Sequence, residues 1–179
     1  MIKPQMKVKF FFMLLIISVI ASQNIYSQSL LECTVDGDKF SGKIEDAVMV
    51  TMGNEEFIQI KSNDSDKILY LYIKSSKLKG EMPITLKYKD HDQAKGEMAD
   101  AEIIWVPEGP DNPQWNSVDG ELVVSQFDAL SKTISAAFEF KVEKFEYSSK
   151  ASDDRPSVDI ENGKIEALKY RVEEKKEGS

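Results

Sequence analysis

Apolar and polar residues alternate strictly over residues 133–145, with Ile134, Ala136, Phe138, Phe140 and Val142 on one face and Ser135, Glu139, Lys141 and Glu143 on the other. A period of two puts one face of a strand on a core and the other in water. Residues 68–73 behave differently: Ile68, Tyr70 and Tyr72 fall on one side and Leu69, Leu71 and Ile73 on the other. Both faces of that strand are expected to be covered. Further strands are predicted over 31–35, 39–41, 47–51, 56–61, 84–88, 102–106, 121–127, 157–161 and 164–172. Turn signals punctuate them at Asp36-Gly37, Gly53-Asn54, Asn63-Asp64-Ser65-Asp66, Gly80, Asp119-Gly120 and Asn162-Gly163. Asp-Gly and Asn-Gly supply the positive φ angles that tight hairpins need. Residues 89–101, polar around Gly96, read as a short helix or a loop, and no long helical period or internal repeat is visible. The pattern predicts one all-β domain, an antiparallel sandwich or a closed up-and-down barrel of about nine or ten strands.

The N-terminal pattern is of another kind. Lys3, Lys7 and Lys9 lead into an apolar run over 10–21, followed by small and polar residues. The run is shorter than the roughly 20 residues a membrane-spanning helix needs, and no second apolar stretch follows it. Residues 1–27 therefore read as a secretory signal peptide cut after Ser27, with a cut after Ser22 as the alternative. The expected compartment is the periplasm or the exterior. Cys33 raises the question of a lipid anchor, but Glu32 stands where a small residue is required before an acylated cysteine, so a membrane tether is not expected.

Composition narrows the picture further. The chain carries 23 Lys/Arg against 31 Asp/Glu, a net charge of −8, and removing the leader takes three lysines and no acid. Clustered cations are missing, which argues against nucleic acid or anionic lipid as a partner. The length left after the leader suits a single domain, residues 28–172, able to bury roughly 70% of its extended-chain surface without staples. One cysteine permits no internal disulfide, and Cys33 is expected to be buried as a small apolar residue of the first strand. Residues 173–179 are charged and read as a disordered tail.

The order of Val35-Asp36-Gly37 with Phe40, Ile84-Thr85-Leu86 after Gly80, Gly120-Glu121-Leu122 through Phe127-Asp128, the segment 132–140 and the segment 158–165 resembles an uncharacterised Bacteroidota family of small exported β-rich domains. The resemblance covers most of residues 33–172 and rests on strand and turn patterns. It implies a β-rich fold and an envelope location. Members are often lipoproteins, a pattern from which this chain departs, and the family supplies no activity and no site residues.

Candidate chemistry is sparse. His91, in the hydrophilic Lys89-Asp90-His91-Asp92, reads as a solvated loop histidine rather than a catalytic base, and no Gly-x-Ser-x-Gly arrangement occurs. Two Cys/His residues in all cannot build a zinc or haem site. Residues 63–66 form an oxygen-rich turn without the glycine and distant glutamate of a calcium loop, and Asp153-Asp154 is weaker still. Single glycines at turns do not make a phosphate cradle, so no cofactor is expected. Acidic pairs suited to glycoside hydrolysis carry no weight among so many acids, and no catalytic residue is assigned.

The segment from Trp105 to Trp115 holds both tryptophans and three of the six prolines. Exposed indoles on a stiff loop would stack on a sugar or anchor a protein, whereas buried ones would cap the core. Trp105, Asp111 and Trp115 are therefore the candidate ligand-binding residues. The functional expectation is a non-enzymatic exported domain that binds an envelope protein or ligand. The alternative is a barrel carrying a small apolar molecule, with Tyr70, Tyr72, Phe138 and Phe140 lining its interior.

Overall fold

The computed structural model describes residues 30–89, 98–145 and 155–173. Among the described residues ten strands form in chain order: β1 (Leu30–Val35), β2 (Asp38–Met52), β3 (Glu55–Asp64), β4 (Lys67–Lys74), β5 (Ile84–Lys87), β6 (Ala101–Val106), β7 (Trp115–Asp128), β8 (Thr133–Lys144), β9 (Ser157–Lys169) and β10 (Arg171–Val172). A 3-10 turn, Ser75–Lys77, follows β4.

Eight of these strands close a ring in the order β1-β2-β3-β4-β6-β7-β8-β9 and back to β1, every neighbour antiparallel. The domain is thus a closed up-and-down barrel rather than a sandwich, which leaves no long sheet edge to protect. Two short strands complete it. β5 takes the place of β6 beside β7 at residues 121–124, and β10 continues β9 to pair in parallel with Val48 and Met49 of β2, beyond the reach of β1. Arg171 fastens that seam to Asp46 with two hydrogen bonds of 2.8 and 3.3 Å.

The hairpin signals at Asp36-Gly37 and at residues 63–66 make the β1–β2 and β3–β4 turns, with Asp36, Gly37 and Ser65 all at positive φ. Two other signals are corrected. Asp119-Gly120 lies inside β7, and Asn162-Gly163 lies inside β9. Both lie at β-bulges: the β7–β8 register slips between Ser117 and Asp119, where Val118 is the extra residue just ahead of Gly120 at φ 138°, and the β8–β9 register slips between Phe138 and Phe140, where Asn162 at φ 54° is the extra residue. A positive φ kinks a continuing strand as readily as it reverses one. The strands expected separately over 39–41 and 47–51 likewise fuse into β2, bent by a register shift between Ile44 and Asp46.

The barrel interior is packed. Leu31, Phe40, Ile58, Ile60, Leu69, Leu71, Ile73, Ile103, Leu122, Ile134, Phe138, Phe140 and Ile160 are all buried in one cluster. Rings make specific contacts there: Phe40 meets Trp105 edge to face at 5.3 Å, and Phe138 lies 6.4 Å from Phe140. Eight strands give an interior just wide enough to be filled by side chains. Between β6 and β7 the ladder is short, only Ile104↔Asn116 and Trp105↔Trp115 being paired. Buried Ser117 extends it, its Oγ accepting from Ile103 N–H at 2.7 Å and donating to Ile103 C=O at 3.0 Å.

Candidate functional site

The structure brings Trp105 and Trp115 together as directly paired residues of β6 and β7. Trp105 shares the inner face with its other partner, Leu69, and is 4% exposed. Trp115 is half-buried against the same core. Asp111 stands apart, exposed in the connecting loop, whose shape is held by Asn112 N–H donating to Gly109 C=O at 3.2 Å and Asn112 Nδ2 donating to Glu108 C=O at 2.6 Å. The loop displays its polar residues and turns the Trp105 indole inward.

Tyr70 and Tyr72 require a correction. Leu69, Leu71 and Ile73 occupy the interior, so alternation turns both tyrosines onto the outer wall, away from Phe138 and Phe140. A continuous apolar run defines two faces but not which of them is the core. The neighbours decide it: Leu71 lies between Ile60 and Ile103, both fully buried, while Tyr72 lies between Gln59 and Glu102.

Two surfaces of the outer wall carry distinct chemistry. The first is an open groove of about 720 Å³ along β8, flanked by β7 and β9. Its floor is small because Ser125, Ser135, Ala137, Gly163 and Ala167 meet there, and its rim carries Glu139 and the Lys164–Glu166 ion pair at 2.6 Å. Bulges in both flanking strands shape it. Ala167, at φ 44°, directs its N–H to Ser135 Oγ at 2.9 Å, so that a β8 side chain satisfies a donor the ladder has lost.

The second surface spans β3, β4 and β6. Gln59, Tyr72 and Glu102 form one cross-strand row, and Lys61, Tyr70 and Ile104 form the next. All six are half-buried. Gln59 Nε2 donates to Tyr72 Oη at 2.8 Å, which fixes the phenol over the sheet. Burial raises the Tyr72 hydroxyl above its ordinary range. Burial also raises the Glu102 carboxyl, and no cation or donor among the described residues offsets it. The lysines on this wall are engaged elsewhere: Lys61 pairs with Glu45 at 2.6 Å, and Lys74 with Glu55 at 2.5 Å. Sequence reasoning missed this row because its members come from three separate strands.

Glu102 therefore opposes folding whenever it is ionised. Its folded-state affinity for a proton exceeds the unfolded one, so its relative contribution is best below the ordinary value of 4.5 and worsens as pH rises through the raised folded value. Around it stand Tyr72 across the strand, Tyr70 and Lys74 diagonally, and, just before β6, Asp100 paired with Lys77 and Lys89, and none reverses that sign. Glu102→Gln is expected to raise Tm at pH 7 and to leave it unchanged below about pH 4.5. Calorimetry across that window checks it, and an equal gain at both ends would show that the charge is not the cause.

Other candidate residues are accounted for. Cys33 is 3% exposed inside the barrel, and burial pushes its thiol up to about 12, which leaves it without thiolate character. His91 and Asp153-Asp154, like residues 1–27 and 174–179, lie outside the described residues. Among the described residues, no group of three or more His, Cys, Asp or Glu side chains converges as metal ligands would, and no helix is long and apolar enough to cross a membrane. No protein-family model matches the chain, and neither a curated protein nor a solved structure shows significant similarity to it.

Proposed function

We propose that this chain is an exported, non-enzymatic β-barrel that binds a protein in the cell envelope through its outer wall. The observation that carries the reading is the filled interior. Phe40, Trp105, Phe138 and Phe140 occupy, as a packed core, the volume that a carrier of an apolar molecule would keep open. Recognition then falls to the outside, where the bulged groove of β7–β9 and the tyrosine row of β3–β6 offer shape and chemistry.

Export follows from the leader pattern of residues 1–27, and the strand that follows supports a cut ahead of it. Acylation at Cys33 would require cleavage just before it and would strip Leu30, Leu31 and Glu32 from β1. Those three residues pair with Lys43, Gly42 and Ser41 of β2, and Leu31 is fully buried. A cut after Ser27 leaves β1 whole. Native mass spectrometry of the protein isolated gently from its own envelope is expected to give a bare polypeptide beginning at Gln28. An added mass of a few hundred daltons would overturn the reading in favour of a ligand carrier, and an acylated Cys33 would overturn the leader assignment.

A further inference from the structure

We propose that the outer face of β3, β4 and β6 is a docking surface for a protein partner that seats an arginine side chain against Tyr70, Tyr72 and Glu102. This rests on the reading of the chain as a partner-binding module and names the chemistry that the partner brings.

Charge complementarity selects the occupant. Glu102 is a half-buried carboxylate to which the described residues give neither a cation nor a donor, and Lys61 and Lys74 on the same wall already hold Glu45 and Glu55 while Lys77 and Lys89 hold Asp100. Directly across the strand, Tyr72 is oriented by Gln59 at 2.8 Å, and Tyr70 stands two residues away on the same face. A guanidinium satisfies both features at once, because its planar fork pairs with a carboxylate while its face stacks on a phenol ring. Tyrosine is also a residue on which interface energy concentrates. The acidic character of the chain, net −8 over its whole length, favours approach of a basic partner, and Lys61 and Lys74 on this face are neutralised by Glu45 and Glu55.

The test uses the isotope-labelled protein as recovered from its producing cell, titrated with acetyl-Gly-Arg-Gly-amide and with its citrulline counterpart, which keeps the shape and lacks the charge. The arginine peptide is expected to produce saturable NMR shifts at Gln59, Tyr70, Tyr72, Glu102 and Ile104. The citrulline peptide is expected to bind at least tenfold more weakly, and Glu102→Gln to reduce arginine binding to the same level. Shifts that are absent, that follow the acids of β7–β9 instead, or that survive Glu102→Gln would overturn the proposal. A photo-crosslinker placed in cells at Ile104 or at Ala137 separates the two levels of argument. A crosslink from Ile104 that Glu102→Gln abolishes supports this docking face. A crosslink from Ala137 alone keeps the partner-binding reading and overturns the arginine site, and a crosslink from neither position overturns both.

Discussion

Gly163→Ala is expected to destabilise the barrel by about 3 kcal/mol, at the upper end of what one inserted methyl costs in a packed core. Gly163 is buried in β9 and pairs directly with Phe138 of β8, whose ring lies across the glycine where a side chain would otherwise stand. A Cβ built there would come within 2.1, 2.2 and 2.5 Å of three Phe138 ring carbons. The ring is enclosed by its neighbours, Phe138 being 2% exposed within the central cluster. Backbone strain plays no part, because the positive φ belongs to Asn162 and not to its neighbour. The cost is therefore steric and should be relieved by shrinking the ring. Phe138→Leu is expected to cost less in the Gly163→Ala background than in the parent, a coupling of about 1 kcal/mol or more in a double-mutant cycle. Urea denaturation of the four proteins measures it, and additive effects would mean that the two residues do not share the space.

The same pairing recurs one strand away. Gly120 of β7 lies opposite Phe140, with Phe140 Cδ1 and Glu139 O each 2.5 Å from where its Cβ would be. In both cases an aromatic ring on β8 covers a glycine on a bulged neighbour, a device that lets a sheet curve tightly while keeping its inner surface filled. These two glycines explain why part of the fold was hard to read. Asp119-Gly120 and Asn162-Gly163 look like hairpin turns, as Asp36-Gly37 does, because the local requirement, a residue at positive φ, is the same for a turn and a bulge. What separates them is whether the chain goes on to pair beyond the kink, and that depends on Phe140 and Phe138, which are remote in sequence.

By contrast, the alternation of β8 was fully legible, since all five of its inward residues, from Ile134 to Val142, are buried. Closure was not. The choice between sandwich and barrel rests on β1 meeting β9 and on β10 meeting β2, contacts between opposite ends of the chain that no local pattern encodes. For the same reason, the tyrosines of β4 were visible as a stripe while their side of the wall was not. Glu102 is a single acid within an apolar strand, and only the fold sets Tyr72 and Gln59 in one row with it.

Trp105→Ala is expected to be the most damaging single truncation, costing about 3–5 kcal/mol, as large-to-small changes of buried aromatics do. Against a total stability of about 5–15 kcal/mol for a domain of this size, that is a large share. The indole is held edge-on against Phe40 at 5.3 Å and stands beside Leu69 and Trp115 across the two ladders, so its loss leaves a cavity bounded by strands of a closed ring that cannot collapse independently. Trp115→Ala should cost clearly less, because Trp115 is only half-buried at the start of β7. The difference distinguishes a structural tryptophan from an available one. With only two tryptophans in the chain, Trp115→Phe leaves Trp105 as the sole indole, and its fluorescence is expected to be blue-shifted and resistant to iodide quenching. Urea midpoints for the two alanine variants, read beside that spectrum, test the assignment from both directions. A quenchable Trp105, or a Trp105→Ala midpoint equal to the parent's, would return the indole to the surface and reopen the loop of residues 107–113 as a binding site.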